Sequence, residues 1–100
     1  MNYAKHYRQP QVADGWLPIV EEMLVALKDL PITIVQIKEK FGELRVYGDY
    51  ADNITDEQAT EIAEAIEVAV YKASHTCEIC GEPGKSVNTN VLGVRCEAHV

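Results

Sequence analysis

Two short stretches decide how this chain folds: Cys77-Glu78-Ile79-Cys80-Gly81 and Cys96-Glu97-Ala98-His99. They contain all three cysteines and one of the three histidines of the chain. A Cys-x-x-Cys turn directs backbone amides at both sulfurs and sets two thiolates on one edge of a tetrahedron, and a second pair supplies the opposite edge. The spacing therefore predicts a Cys3His site for a structural Zn²⁺ ion, with Gly81 supplying a positive φ in the first turn.

Four protein ligands leave no position open for water or substrate, so the predicted site is structural and not catalytic. Three alternatives stay open: reduced cysteines without a metal, an iron–sulfur cluster, and His75 as the fourth ligand. His99 is preferred because Cys96-x-x-His99 repeats the spacing of the first pair, whereas His75 precedes Cys77 by only two residues. The end of the chain is therefore interpreted as a short zinc ribbon.

The composition of the chain, 100 residues with 47% hydrophobic and 25% charged, predicts one globular domain. We expect an N-terminal arm over 1–13, an α-β-β-α core over 14–75 and a zinc-binding appendage over 76–100. The chain has no run approaching the roughly 18 apolar residues of a membrane span, and it does not begin with a signal-peptide pattern. Cysteines arranged for a metal then favour a reducing, cytoplasmic location.

The predicted fold class is α+β, and the first helix is expected to begin at Asp14 and end at Pro31. Asp14 is the predicted N-cap, and Pro18 is tolerated because it lies in the first turn. Apolar residues recur at helical spacing and predict a buried face. They are Trp16, Val20, Met23, Leu24, Leu27 and Leu30.

A β-hairpin is predicted next, with strands over 32–37 and 44–47. The turn falls within 38–43, where Gly42 is the expected positive-φ residue and Phe41 is expected to fold over the core. The residues predicted to face the core are Val35, Ile37, Leu44 and Val46. Gln36, Lys38, Arg45 and Tyr47 should face outward.

A second helix is predicted from its capping box, formed by Thr55 and Gln58. Its apolar stripe is made of small and branched residues, namely Ala59, Ile62, Ala63, Ile66, Ala69, Val70 and Ala73. The opposite face combines carboxylates with two exposed apolar side chains. This face, Glu57, Glu61, Glu64, Glu67, Val68 and Tyr71, is the candidate partner-binding surface because mixed surfaces of this kind are typical of protein interfaces. A solvated acidic face is the simpler interpretation.

Catalytic patterns are missing from the sequence. A zinc deaminase needs a His-x-Glu arrangement, which does not occur, and the stretch 81–86 does not match the spacing of a phosphate-binding P-loop. The net charge of −7 disfavours direct binding to nucleic acid, where Lys and Arg neutralise phosphates. Two regions are basic despite the negative net charge of the chain. They are the local patch of Lys38, Lys40 and Arg45 and the basic, aromatic N-terminal arm.

The combination of Gly15-Trp16, the hairpin stretch 36–47 (QIKEKFGELRVY), Cys77-x-x-Cys80-Gly81 and Cys96-x-x-His99 resembles a family of small phage and prophage zinc-knuckle proteins. The likeness extends from residue 15 onward and departs from the pattern at 93–95, where an aromatic residue is expected. It implies a phage-encoded accessory protein.

These observations predict a non-enzymatic, phage-encoded binding protein of the host cytoplasm. It is expected to block a host nucleoprotein complex with a basic surface, as anti-CRISPR proteins do, through the acidic face of the second helix. The alternative is a zinc-ribbon adaptor that binds nucleic acid or transcription machinery through the basic patch. A structural or assembly module is a third interpretation.

Overall fold

The computed structural model describes residues 2–88 and 92–100, and in these ranges it contains two α-helices and two β-sheets. The elements are β1 (Asn2–Tyr3), α1 (Leu17–Leu27), β2 (Ile32–Lys40), β3 (Glu43–Tyr50), α2 (Asp56–Ala73), β4 (Lys85–Asn88) and β5 (Leu92–Arg95). The predicted α+β class is confirmed at this level. Within the described ranges, neither helix combines the length and the apolar character that crossing a membrane requires.

The larger sheet has the strand order β1-β2-β3, and β2 and β3 form an antiparallel pair. Lys40 pairs with Glu43, so the turn is only two residues long, Phe41 and Gly42. Both have positive φ, 54° and 81°, which is the pattern of the tight turn that matches strand twist. Phe41 therefore projects beyond the last paired residues and is 67% exposed, so the prediction that it covers the core is wrong.

A β-bulge in β2 changes which side chains face the core. The register of the β2–β3 pair shifts between Ile34 and Gln36, which inserts one extra residue into β2. Ile34 and Ile37 are both buried as a result, and Val35 is 38% exposed. The prediction that Val35 faces inward is therefore wrong, because strict alternation does not continue through a bulge.

The first helix begins later and ends earlier than its sequence pattern predicts. A 3-10 turn covers Asp14–Trp16, and Asp14 makes no side-chain capping bond, so the predicted N-cap is wrong. Pro18 lies in the first turn of α1, as predicted, whereas the helix ends at Leu27 and not at Pro31. The start of the helix differs because Gly15 and Trp16 form hydrogen bonds with residues 76–78, which are distant in sequence.

The start of the second helix follows its sequence signals closely, whereas Ala63 of the predicted apolar stripe is exposed. Thr55 Oγ1 accepts a hydrogen bond from the Gln58 backbone N–H, and Gln58 Oε1 accepts one from Thr55 N–H, both at 3.1 Å. α2 packs against α1 and β3. Its fully buried residues, Ile62, Ala69 and Ala73, join the buried face of α1 and the inner face of the sheet in one core.

The N-terminal arm lies along the outer edge of β2. β1 pairs in parallel with Thr33 and Ile34. Further along, the Gln11 N–H donates to the Ile37 carbonyl at 2.9 Å, and the Glu39 N–H donates to the Gln11 carbonyl at 3.2 Å. The arm thus satisfies backbone groups that β2 would otherwise present to solvent.

Candidate metal centre and partner surface

The structure brings together the four side chains that the spacing selects. One ligand atom from each of Cys77, Cys80, Cys96 and His99 lies within 4.8 Å of every other. The Cys80 and Cys96 sulfurs are 3.6 Å apart, and His99 Nδ1 is 3.1 Å from Cys96 Sγ and 3.7 Å from Cys77 Sγ. The cluster is therefore compatible with one metal ion bound by all four.

These distances can be compared with the edges of a zinc tetrahedron. Zn–S bonds of about 2.3 Å and Zn–N bonds of about 2.0 Å place sulfurs about 3.8 Å apart and a sulfur and a nitrogen about 3.5 Å apart. The observed sulfur–sulfur separation and the mean of the two sulfur–nitrogen separations agree with these edges to within a few tenths of an ångström. The donor set, three soft thiolates and one imidazole, is also the one that structural zinc takes.

Backbone hydrogen bonds prepare the first cysteine to be a ligand. Burial would raise the pKa of the Cys77 thiol, but backbone hydrogen bonds outweigh burial and lower that pKa to about 6. The donors are the N–H groups of Cys80, Cys96 and Ile79. The hydrogen bonds therefore favour the Cys77 thiolate, the form that binds metals.

The pKa of Cys80 moves in the opposite direction. The backbone amide of Glu82 favours its thiolate, but burial, the neighbouring thiols of Cys96 and Cys77 and the charge of Cys77 together raise the pKa. Two thiolates this close repel each other unless a cation lies between them. A divalent ion in the centre of the cluster would supply that charge.

The first knuckle is attached directly to the start of α1. The Gly15 N–H donates to the Glu78 carbonyl at 2.8 Å, and the buried indole Nε1 of Trp16 donates to the Thr76 carbonyl at 2.8 Å. Gly15 lies so close to the knuckle that a Cβ on it would be 2.2 Å from the Cys77 carbonyl oxygen. The cluster of cysteines and His99 is therefore attached to the helical body, and Trp16 and Val94 belong to the same core.

A buried ion pair joins the two halves of the cluster, and sequence reasoning missed it. Glu78, only 9% exposed, accepts a hydrogen bond from the Val94 N–H at 3.0 Å and lies 3.5 Å from the Arg95 guanidinium. A Cβ on Gly93 would be 2.7 Å from the Glu78 carboxylate. A side chain at Gly93 would therefore have to displace the Glu78 carboxylate. The only signal for this ion pair in the sequence is the charged residue Glu78 inside the Cys77-x-x-Cys80 motif.

His75, the rival fourth ligand, lies outside the cluster. Its Nδ1 is 3.0 Å from the Tyr71 carbonyl and 2.8 Å from Ser74 Oγ. Its ring lies against that of Tyr71, with centroids 4.6 Å apart. The structure thus places His99 with the cysteines and His75 at the end of α2.

The predicted partner surface is exposed along the outer face of α2. Val68 is 50% exposed and Tyr71 is 68% exposed, and both border an open depression that also includes Ile66 and Val70. The four carboxylates of the surface are exposed as well: Glu57, Glu61, Glu64 and Glu67. Lys72, beside them, pairs with Glu22 of α1. The surface therefore presents negative charge around two apolar side chains on one rigid helix.

The basic residues of the hairpin are partly engaged within the molecule. Lys38 and Arg45 pair across the strands, and Arg45 forms an ion pair with Glu43 at 2.8 Å. The Lys38 and Lys40 amines lie over the Tyr47 and Phe41 rings, at 5.8 and 5.6 Å from the centroids. These neighbours reduce the charge that the patch offers to a phosphate backbone.

Comparison with protein-family models, with curated proteins and with solved structures finds no match for this chain. The likeness to phage zinc-knuckle proteins therefore stays a prediction.

Proposed function

We propose that the chain is a zinc-stabilised, non-enzymatic binding protein that recognises a partner through the outer face of α2. The observation that carries this proposal is the exposure of Val68 and Tyr71 among four carboxylates on a helix fixed at its start by a capping box. Large exposed apolar side chains at a charged rim are typical of contact surfaces, where an aromatic residue acts as an anchor.

Zinc has a structural role in this proposal. Cys77, Cys80, Cys96 and His99 hold the ion and complete its coordination, so the ion supplies folding free energy and no chemistry on a substrate. The arrangement of β4 and β5 between the two ligand pairs supports the zinc-ribbon interpretation. Metal analysis of freshly purified, reduced protein is expected to find one zinc per chain, and a chelator is expected to unfold residues 76–100.

The proposed partner has a basic surface. The chain carries a net charge of −7, and the acidic side chains of α2 extend over much of its length, so a positively charged groove would attract this face. The resemblance to phage proteins supports a host nucleoprotein complex, such as a CRISPR–Cas effector, whose nucleic-acid groove the protein would occupy. The cytoplasm of the host cell is then the place of action.

Charge reversal on α2 tests the proposal. Glu61→Lys with Glu64→Lys is expected to abolish capture of the partner complex from host lysate, identified by mass spectrometry, and to leave folding intact. Asp29→Lys with Asp52→Lys is the matched control, because it changes the net charge equally at exposed positions outside the proposed contact surface. Equal capture by both double variants would remove the α2 surface from the proposal.

The second candidate is a zinc-ribbon adaptor that binds nucleic acid through Lys38, Lys40 and Arg45. It is supported by the placement of Lys38 and Arg45 opposite each other on the same face of the hairpin, where two neighbouring cations suit a phosphate group. A gel shift of plain duplex or single-stranded DNA by the purified protein would favour this candidate over the first.

A further inference from the structure

The two edges of the larger sheet differ in how their backbone groups are satisfied. The N-terminal arm covers β2, with bonds from the Ala4 N–H to the Ile34 carbonyl and between Gln11 and its two neighbours on β2. β3 is the opposite edge of the sheet. Among the described residues, the backbone bonds made outside the regular ladders include none from Glu43–Tyr50. An eight-residue strand thus presents an open row of donors and acceptors.

The hairpin turn determines which residues of β3 direct their backbone N–H and C=O groups away from β2. Lys40 and Glu43 close a two-residue turn as a hydrogen-bonded pair, so odd-numbered residues of β3 direct their backbone groups to β2 and even-numbered ones direct theirs outward. The Ala51 N–H, which donates to the Pro31 carbonyl at 3.0 Å, shows that this alternation continues past the end of β3. The outward groups belong to Leu44, Val46, Gly48 and Tyr50.

Natural proteins block open edge strands with proline, lysine or a bulge in the edge strand itself. β3 (ELRVYGDY) contains neither proline nor lysine, and the bulge of this sheet lies in β2. Its outward-facing side chains also carry an ordered pattern of charge. Arg45, Tyr47 and Asp49 follow one another along the face of the sheet that points away from the helices.

We propose that β3 pairs antiparallel with β3 of a second copy, about a two-fold axis at Tyr47, to form a six-stranded sheet. In this register Arg45 lies opposite Asp49 of the second copy, twice, and the two Tyr47 rings meet at the axis. Val46 then forms a hydrogen-bonded pair with Gly48 of the second copy, and Leu44 forms one with Tyr50 of the second copy. These pairs use every outward backbone group of β3. The interface is isologous, as closed dimers require.

Charge selects this register over its neighbours. A two-fold axis at Val46 would place Glu43 opposite Asp49, and like charges directly opposite each other are destabilising. An axis at Gly48 would leave Arg45 opposite Ala51 without a carboxylate. Arg45 is partly exposed on this face, where its Nη2 bonds Glu43 of the same strand.

The pairing is argued from β3 alone and does not depend on the proposed function. Sedimentation of the zinc-loaded, full-length chain over a wide range of concentration is expected to show a monomer–dimer equilibrium. A monomer at every concentration overturns the proposal.

Two kinds of variant locate the interface. Tyr50→Pro removes an outward N–H without touching the ladder with β2, and the Tyr50 side chain is exposed, so this variant is expected to weaken dimerisation roughly tenfold or more while circular dichroism stays unchanged. Arg45→Asp and Asp49→Arg are each expected to weaken the dimer, and the double variant, in which the charges are exchanged, is expected to restore it. A dimer that these changes leave intact would place the contact elsewhere and refute the β3 pairing.

The register has its own test, which does not depend on folding energetics. Tyr47→Cys places two cysteines at the axis in a non-hydrogen-bonded pair, where side chains are close enough for a disulfide. Mild oxidation of the zinc-loaded variant is expected to give a covalent dimer. The same treatment of Glu43→Cys, and of the unaltered chain, is expected to give none. Equal cross-linking of Tyr47→Cys and Glu43→Cys would refute the register.

Discussion

The contact between Gly15 and the first knuckle leads to a prediction about stability. In Gly15→Ala, the new Cβ would lie 2.2 Å from the Cys77 carbonyl oxygen and 2.7 Å from the carbonyl carbon and oxygen of Glu78. Ordinary C···O contacts are about 3.3 Å, so the two backbones must separate by about 1 Å. All the atoms concerned belong to the main chain, so no side-chain rotation can relieve the clash.

The expected cost has two parts. Overpacking costs about 1–3 kcal/mol, and separating the backbones breaks the bond from the Gly15 N–H to the Glu78 carbonyl, which leaves a buried donor unsatisfied at about 1–3 kcal/mol. We therefore expect Gly15→Ala to lower the free energy of unfolding by roughly 2–6 kcal/mol in total. The chelator concentration needed to remove zinc should fall as well, because the displaced peptide groups belong to the metal knuckle.

Denaturant unfolding of the zinc-saturated protein, followed by far-UV circular dichroism, measures this change. Gly81→Ala is the matched comparison, because its Cβ would be 3.4 Å from the nearest atom and only the positive φ of 83° opposes it, at about 1–2 kcal/mol. Gly15→Ala should therefore be the more harmful of the two alanine substitutions. A loss below about 1 kcal/mol would refute the close approach on which this reasoning depends.

Three further outcomes are expected. Phe41→Asn should raise the free energy of unfolding by about 0.5–1 kcal/mol, since asparagine tolerates the positive φ of the turn and the lost ring is exposed; an unchanged or lower value in denaturant unfolding would contradict this. Glu78→Ala should cost about 1–3 kcal/mol by leaving the Val94 N–H without its acceptor, whereas the exposed Glu97→Ala should cost almost nothing, and equal costs would speak against the buried bond. Zinc should bind more weakly as the pH falls through about 6, because Cys77 binds the ion as a thiolate and its pKa is lowered to about 6, so protons compete with the ion below that pH; competition with a chromophoric chelator at several pH values would show it, and an affinity that is the same at pH 5 and pH 7 would contradict it.

The features that local sequence encodes were predictable. The spacing of the cysteines and His99 brought four ligands together, and the Thr55–Gln58 capping box formed where its motif occurs. The buried face of α1 follows its helical periodicity from Trp16 to Leu27. The capping box and the helical periodicity involve residues that are close in sequence. The cysteines and His99 are farther apart, but binding a metal is the one role that their spacing indicates.

The errors came from interactions between distant segments. Asp14 is a good capping residue, but bonds from Gly15 and Trp16 to residues 76–78 turn the chain into a 3-10 turn at that point. Alternation predicted an inward Val35, and only the register with β3 reveals the bulge. The buried pair of Glu78 and Arg95 was unpredictable for the same reason, since nothing near Glu78 in the sequence identifies its partner.

Trp16 has a consequence for experiments on this protein. It is the only tryptophan of the chain, it is fully buried, and its indole N–H binds the carbonyl of the residue before Cys77. Loss of the ion should free that carbonyl and expose the ring to water, which shifts indole emission to longer wavelength. Ordinary fluorescence titration can therefore follow the state of the knuckle without any attached dye.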